Sequence, residues 1–188
     1  MRYHSRMSSQ RPHPALESFG EHFPEIGERV FIHRNASVIG RVRLAERVSI
    51  FPGASLRGDD GAIVIGACTN IQDNATVHMT EDLSSTTVGE RCTIGHNAVL
   101  HGCTIEDGCL VGMGAIVMDN AVIRAGSMVG AGALVTANKT FEPGVLILGN
   151  PAKAVRALDD KEREWLDYSW RHYCETAERY LRARDGAR

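Results

Sequence analysis

The feature that most constrains this chain is an aliphatic residue that returns at every sixth position. Ile32, Val38, Leu44, Ile50 and Leu56 begin the series, and Ile65, Ile71 and Val77 resume it. Val88, Ile94 and Leu100 follow, then Ile105, Val111, Val117, Ile123, Val129 and Val135. Four residues after most of these stands a small or β-branched residue, such as Ala36, Ala54, Ala75, Ala98, Ala115 and Ala133. Gly, Asn and Asp crowd between them, at Gly95, Asn97, Gly108, Gly114, Asn120 and Gly132, as turns with positive φ require.

A period of six suits neither an α-helix nor an alternating hairpin. It suits a prism of short parallel strands in which one hexad forms one flat side and three hexads form one coil. The aliphatic residue points inward and the small residue fits the corner. Hexapeptide repeats of this kind predict a left-handed parallel β-helix, an exception to the right-handed crossover rule. The series amounts to between five and six coils. Composition agrees: aromatics make up 6% and glycines number 19, so the core must be built from small and aliphatic side chains.

The period is broken over Arg57–Val64 and over His78–Thr87, both expected as surface loops, the usual place for function on a rigid scaffold. A one-residue slip falls between Leu100 and Ile105, directly after His101. The organisation predicted is an N-terminal extension over 1–29, in part flexible, a β-helix over 30–150, and a C-terminal helix over 151–188 packed on the prism. Asp159 with Glu162 three residues on reads as a helix-capping pair. Leu158, Trp165, Ser169, His172, Tyr173, Thr176 and Tyr180 then recur at roughly helical spacing.

Net charge is −2 with interleaved signs, which favours neither nucleic acid nor an anionic membrane as partner. No apolar run approaches the roughly 20 residues of a membrane span. The first 30 residues hold Arg2, Arg6 and Arg11, prolines, and His4, His13 and His22, but no apolar h-region, so no signal peptide is expected. Five cysteines (Cys68, Cys92, Cys103, Cys109, Cys174) show no CxxC pairing. An odd, unpaired set argues against disulfides and for a reducing, cytoplasmic setting.

His78 follows the inward residue Val77 by one place, and His101 follows Leu100 by one. The hexads Val77, Val88, Ile94 and Leu100 make three steps, one coil, provided the second break bulges out without adding a side. His78 and His101 then share a side in adjacent layers about 4.8 Å apart. Both reach one cation. His96 belongs to the intervening hexad, on another side, and cannot easily join them within one chain. A tetrahedral site needs three protein nitrogens about 2.0–2.1 Å from the metal and one open position. Threefold symmetry supplies the third ligand if the face bearing His96 packs on the face bearing His78 and His101 of the next subunit.

Charged and amide groups gather nearby. Gln72 and Asn70 precede His78, Asp73 and Arg57 can fix orientation across an interface, and Asp60 or Glu81 can relay a proton. Arg57-Gly-Asp59, Asn70-Ile-Gln72-Asp73, His78, Gly95-His96, Leu100-His101-Gly102-Cys103 and Val111-Gly-Met-Gly-Ala115 together resemble the gamma-class carbonic anhydrase family, most closely its compact bacterial members. The resemblance spans residues near 30 to 158. It implies a homotrimer with zinc, or iron or cobalt in some members, held by His78 and His101 of one chain and His96 of its neighbour. It implies further that Arg57, Asp59 and Asp73 form an interfacial ion-pair network, that Gln72 and Asn70 lie near bound water, and that Tyr173 on the C-terminal helix reaches the active site. The long acidic loop of some members is absent, leaving only Met79-Thr80-Glu81-Asp82-Leu83 after His78.

The activity so implied is reversible hydration of CO₂ to bicarbonate by a metal-bound hydroxide at a subunit interface. Two other readings stand beside it. Val129-Gly-Ala-Gly-Ala-Leu-Val135 and Gly149-Asn150-Pro151-Ala152-Lys153 resemble the tail of hexapeptide acyltransferases that use acyl-coenzyme A. A weakly active or non-catalytic trimeric metal-binding scaffold is the third.

Overall fold

All seventeen aliphatic residues of the series lie in one continuous buried core. A computed structural model describes residues 13–186; Arg2, His4, Arg6 and Arg11 lie outside the described residues. The backbone winds as a left-handed parallel β-helix of about seven turns. One side of the prism stacks Phe31–Ile32, Ser49–Ile50, Asn70–Ile71, Thr93–Ile94, Leu110–Val111, Met128–Val129 and Val145–Gly149 in parallel. An antiparallel strand, Ala152–Ala157, closes that side. Burying each Val, Ile or Leu removes enough apolar surface for about 1.5–3 kcal/mol, so a column of them can hold two-residue strands that would be marginal alone.

Five to six coils were expected, and the additional turns come from segments outside the hexad series. Leu16–Glu17 and Glu25–Ile26 pair with Ser37–Leu44 at the N-terminal end, and Thr140–Phe141 pairs with Val122–Ile123 at the other. Part of the N-terminal extension is therefore built into the prism.

The first frame break is not a loop. Ser55–Ile65 is one 11-residue strand that bends round a corner of the prism and pairs with Ser37–Leu44 across a register shift between Gly40 and Val42. The run Arg57-Gly-Asp-Asp-Gly looks like turn chemistry, but pairing of Ser55–Gly58 and of Ile63–Ile65 with the shorter neighbouring strand holds both ends extended, and residues 59–62 are taken up at the register shift. The second break is a true loop, and it adds no side. Thr86–Val88 pairs with the far end of Ser55–Ile65, and Thr76–His78 pairs with its near end.

Asn97 and Asn120 take φ of 58° and Gly114 takes 66°, as the turns demanded. Gly95 is different: its φ lies outside the left-handed region, and a Cβ there would come 2.8 Å from the Met113 amide nitrogen. Gly95 serves close approach between coils.

The C-terminal helix runs Asp160–Gly186. Its first turn carries the anticipated capping pair: the Glu162 amide donates to Asp159 Oδ1 and the Asp159 amide donates to Glu162 Oε2, both at 2.9 Å. The buried stripe is Leu166, Ser169, Cys174 and Ala177. Trp165 and Tyr180, read as part of that stripe, are exposed. Leu166 packs with Leu146 and Leu158, and Ala177 packs with Phe31 and Phe51. Among the described residues, no helix is long and apolar enough to cross a membrane.

Candidate metal centre

The hexad arithmetic becomes a register. In the pairing of Thr76–His78 with Val99–His101, Val77 faces Leu100 and His78 faces His101. With Val77 and Leu100 fully buried inside, the next residue on each strand must turn outward, side by side. The rings meet with His78 Nδ1 3.4 Å from His101 Nε2.

The opposite nitrogens of both rings are held by carboxylates. His78 Nε2 lies 3.0 Å from Asp59 Oδ1 and 3.3 Å from Asp60 Oδ2, and His101 Nδ1 lies 3.1 Å from Asp119 Oδ2. An ionised carboxylate only accepts, so each of these nitrogens carries the proton. The nitrogens left, His78 Nδ1 and His101 Nε2, then point lone pairs at each other. Such a pair is satisfied by a cation between the rings. Two ligands each 2.0–2.1 Å from a tetrahedral centre stand about 3.3–3.4 Å apart, so the spacing fits.

Asp59 is fixed in turn by Arg57, whose Nη1 donates to Oδ2 at 2.5 Å. Burial alone would raise the Asp59 carboxyl. Hydrogen bonds from Arg57, His78 and the backbone outweigh that effect and hold it at about 2. Asp59, Asp60 and His78 also present ligand atoms within 4.8 Å of one another. That cluster shares His78 Nε2 with the hydrogen bonds just described.

His96 stands on the other sheet, two residues past Thr93–Ile94. Its Nδ1 lies 3.0 Å from Asp73 Oδ2, which leaves Nε2 free by the same reasoning. Around it are Gln72, Met113, Trp165 and Tyr173, lining a cavity of about 340 Å³ between prism and helix. Gln72 is buried; its Nε2 donates to Asn70 Oδ1 at 3.0 Å, and Asn70 Nδ2 donates to Thr93 Oγ1 at 3.0 Å. Tyr173 packs edge-on against Phe51, and burial followed by the Asp73 charge pushes its phenol up.

The candidate residues thus fall into two groups, one beside each sheet, with Tyr173 joining the second from the helix. Arg57, Asp59, Asp60, His78 and His101 form one; Asn70, Gln72, Asp73, His96 and Tyr173 form the other. Within the chain Asp73 pairs with His96 and Arg57 pairs with Asp59. Glu81 sits exposed on the loop after His78, so of the two proton-relay candidates Asp60 is the one in contact with His78.

Sequence reasoning missed Asp119. It lies eighteen residues past His101, on the next coil, and one place beyond Met118, the residue that the register sets opposite the histidine, so the count that paired the histidines passes it by. Ser84 was missed as well; its Oγ donates to Asp119 Oδ1 at 2.6 Å.

Known proteins resemble this chain over most of its length. The family "Bacterial transferase hexapeptide (six repeats)" matches residues 102–137. Protein YrdA of Escherichia coli K12 is 45% identical over 172 residues, covering 88% of this chain and 94% of that protein. Gamma carbonic anhydrase 2, mitochondrial, of Arabidopsis thaliana is 40% identical over 88% of this chain and 62% of that protein. The crystal structure of a hexapeptide transferase family protein from Anaplasma phagocytophilum superposes with a TM-score of 0.85 at 40% identity, covering 89% and 98% of the two chains. With the repeat, the paired histidines and these relatives in agreement, the chain belongs to the gamma-carbonic-anhydrase-like family of hexapeptide-repeat proteins.

Proposed function

We propose that this protein is a metal-dependent carbonic anhydrase that interconverts CO₂ and bicarbonate between the subunits of a homotrimer. His78 and His101 of one subunit and His96 of the next hold the metal, zinc first and iron or cobalt as alternatives. The observation that carries the reading is the pair of facing imidazole nitrogens 3.4 Å apart, each ring braced behind by a carboxylate. A relative named as a gamma carbonic anhydrase supports the same chemistry.

When bound, a divalent cation on three histidines lowers the pKa of a coordinated water toward about 7. The chain's own residues do the rest. Asp59 and Asp73 orient the His78 and His96 rings and fix which nitrogen of each faces the metal. Gln72, anchored through Asn70, offers a neutral amide beside His96 to orient a small uncharged substrate. Asp60, half exposed beside His78, would receive through solvent the proton that the bound water sheds and pass it to buffer, while the His78 Nε2 proton stays on the ring. Met113, Trp165 and Tyr173 line an apolar approach that suits CO₂ better than water.

The test is stopped-flow CO₂ hydration on metal-replete protein with its oligomeric state measured alongside. A rate above buffer in a trimer is expected; none would contradict the activity. The groove beside His96 favours one other reading. Its floor includes Gly112 and, from the segment that resembles acyltransferases, Gly130 and Ala131, and the wall of Leu110, Met113 and Met128 suits an extended apolar chain. Saturable binding of acetyl-coenzyme A without CO₂ hydration would favour that alternative.

A further inference from the structure

We propose that Asp119 is a positioning residue for the metal centre, latched by Ser84 of the loop that follows His78. The inference rests on the reading that His101 is a ligand. It goes further in assigning the second carboxylate, and with it a role for the loop.

Asp119 is buried, and both of its oxygens are committed. Oδ2 takes His101 Nδ1–H at 3.1 Å and Oδ1 takes the Ser84 hydroxyl at 2.6 Å. Ser84 Oγ in turn accepts the Thr80 amide at 3.1 Å, so the hydroxyl that meets Asp119 also closes the turn of the loop. Thr86 fastens the loop's base: its hydroxyl donates to the His78 carbonyl and accepts the Gly102 amide. Room for the latch depends on Gly102. At φ 64°, a Cβ on residue 102 would stand 2.1 Å from Ser84 Oγ and 2.3 Å from Asp119 Oδ1. The one-residue slip after His101 therefore leaves a gap in which the loop and the next coil meet behind the histidine.

The chemical consequence is a choice of tautomer. The hydrogen bond at one ring nitrogen sets which nitrogen is free. With Asp119 present, Nδ1 carries the proton and Nε2 faces His78. Without it, nothing holds the proton at Nδ1, and the lone pair is no longer committed to the metal side. Loss of such a partner typically lowers metal affinity about 10–100-fold.

The experiment uses the full chain. Cobalt affinity is measured by competition with a chromophoric chelator, and the His101 imidazole ¹⁵N shifts are recorded in metal-free protein. Asp119→Ala is expected to weaken cobalt binding by about 10–100-fold and to shift His101 away from the Nδ1–H form. Asp119→Asn, which keeps an acceptor oxygen, should recover part of both. Ser84→Ala should weaken binding less than Asp119→Ala, with the Nδ1–H form retained. Asp107→Asn is the control, because Asp107 accepts the Glu90 amide on another turn and touches no histidine. Wild-type affinity and tautomer in Asp119→Ala would overturn the proposal. So would a fully retained tautomer in Asp119→Asn and Ser84→Ala together with unchanged affinity, should the alanine variant not fold. If wild-type protein binds no cobalt, the metal reading fails, while the ¹⁵N shifts still decide whether Asp119 sets the tautomer.

Discussion

His78 and His101 are register partners on adjacent coils, and their rings present Nδ1 and Nε2 to each other at 3.4 Å. Twenty-three residues separate them, five more than three ordinary hexads. The whole surplus is absorbed by the loop after His78, which leaves the prism and returns without taking a side. A metal centre here depends on the solenoid keeping that register, so the stability of the coil and the integrity of the site are linked.

Leu100→Ala tests that link. Leu100 is fully buried between Val77 and Val117, directly before His101. The cavity left should cost about 2–5 kcal/mol, read from denaturant unfolding. A loss well below that range would mean that the coil collapses around the gap.

Asp60→Asn addresses proton release. In weak buffer, turnover should fall by about 10²-fold while metal content is unchanged, and added imidazole buffer should restore much of it. Glu81→Gln should do neither, because Glu81 stands exposed on its loop. The reverse pattern would move the relay to Glu81.

Glu162 makes helix capping depend on pH. A hydrogen bond from Arg156, then one from the Asp159 amide, hold its carboxyl at about 2, against an ordinary value near 4.5. A depressed folded-state pKa stabilises the fold above the unfolded value, and that contribution is lost as pH falls from about 4.5 toward about 2. The difference in melting temperature between wild type and Glu162→Gln should therefore shrink across that window. A difference independent of pH would contradict the assignment.

Thiol chemistry reports on the core. Burial pushes Cys103, Cys109 and Cys174 up to about 12, and Cys92 higher still. Only Cys68 is partly exposed among the five. A thiol reagent should label one cysteine quickly in the folded protein and all five in denaturant. Rapid reaction of Cys92 or Cys103 would show that the prism opens.

Much of this was legible in the sequence because a solenoid converts position into geometry. One residue after an inward aliphatic points outward, and one coil later its counterpart lies beside it, so His78, His101 and the separation of His96 followed from counting. The Ser55–Ile65 strand was not legible, because Arg57-Gly-Asp-Asp-Gly carries every local sign of a turn and only pairing with Ser37–Leu44 overrides it. Asp119 was hidden for a related reason: Asp-Asn at 119–120 reads as turn chemistry, and nothing local distinguishes a carboxylate that shapes a corner from one that braces a histidine. The helix stripe shifted by one residue, from Trp165 to Leu166, because a wide aromatic at the edge of a groove and a buried leucine satisfy the same spacing.

The central claim is that one site draws ligands from two subunits. Cobalt binding by His96→Ala and His101→Ala, each alone and then co-refolded in equal amounts, tests it most directly. Neither variant alone should hold the metal stoichiometrically. In random mixed trimers about one quarter of the interfaces join an intact His78–His101 face to an intact His96 face, so about that fraction of sites should return. Full cobalt binding by His96→Ala alone, or no recovery in the mixture, would contradict the account.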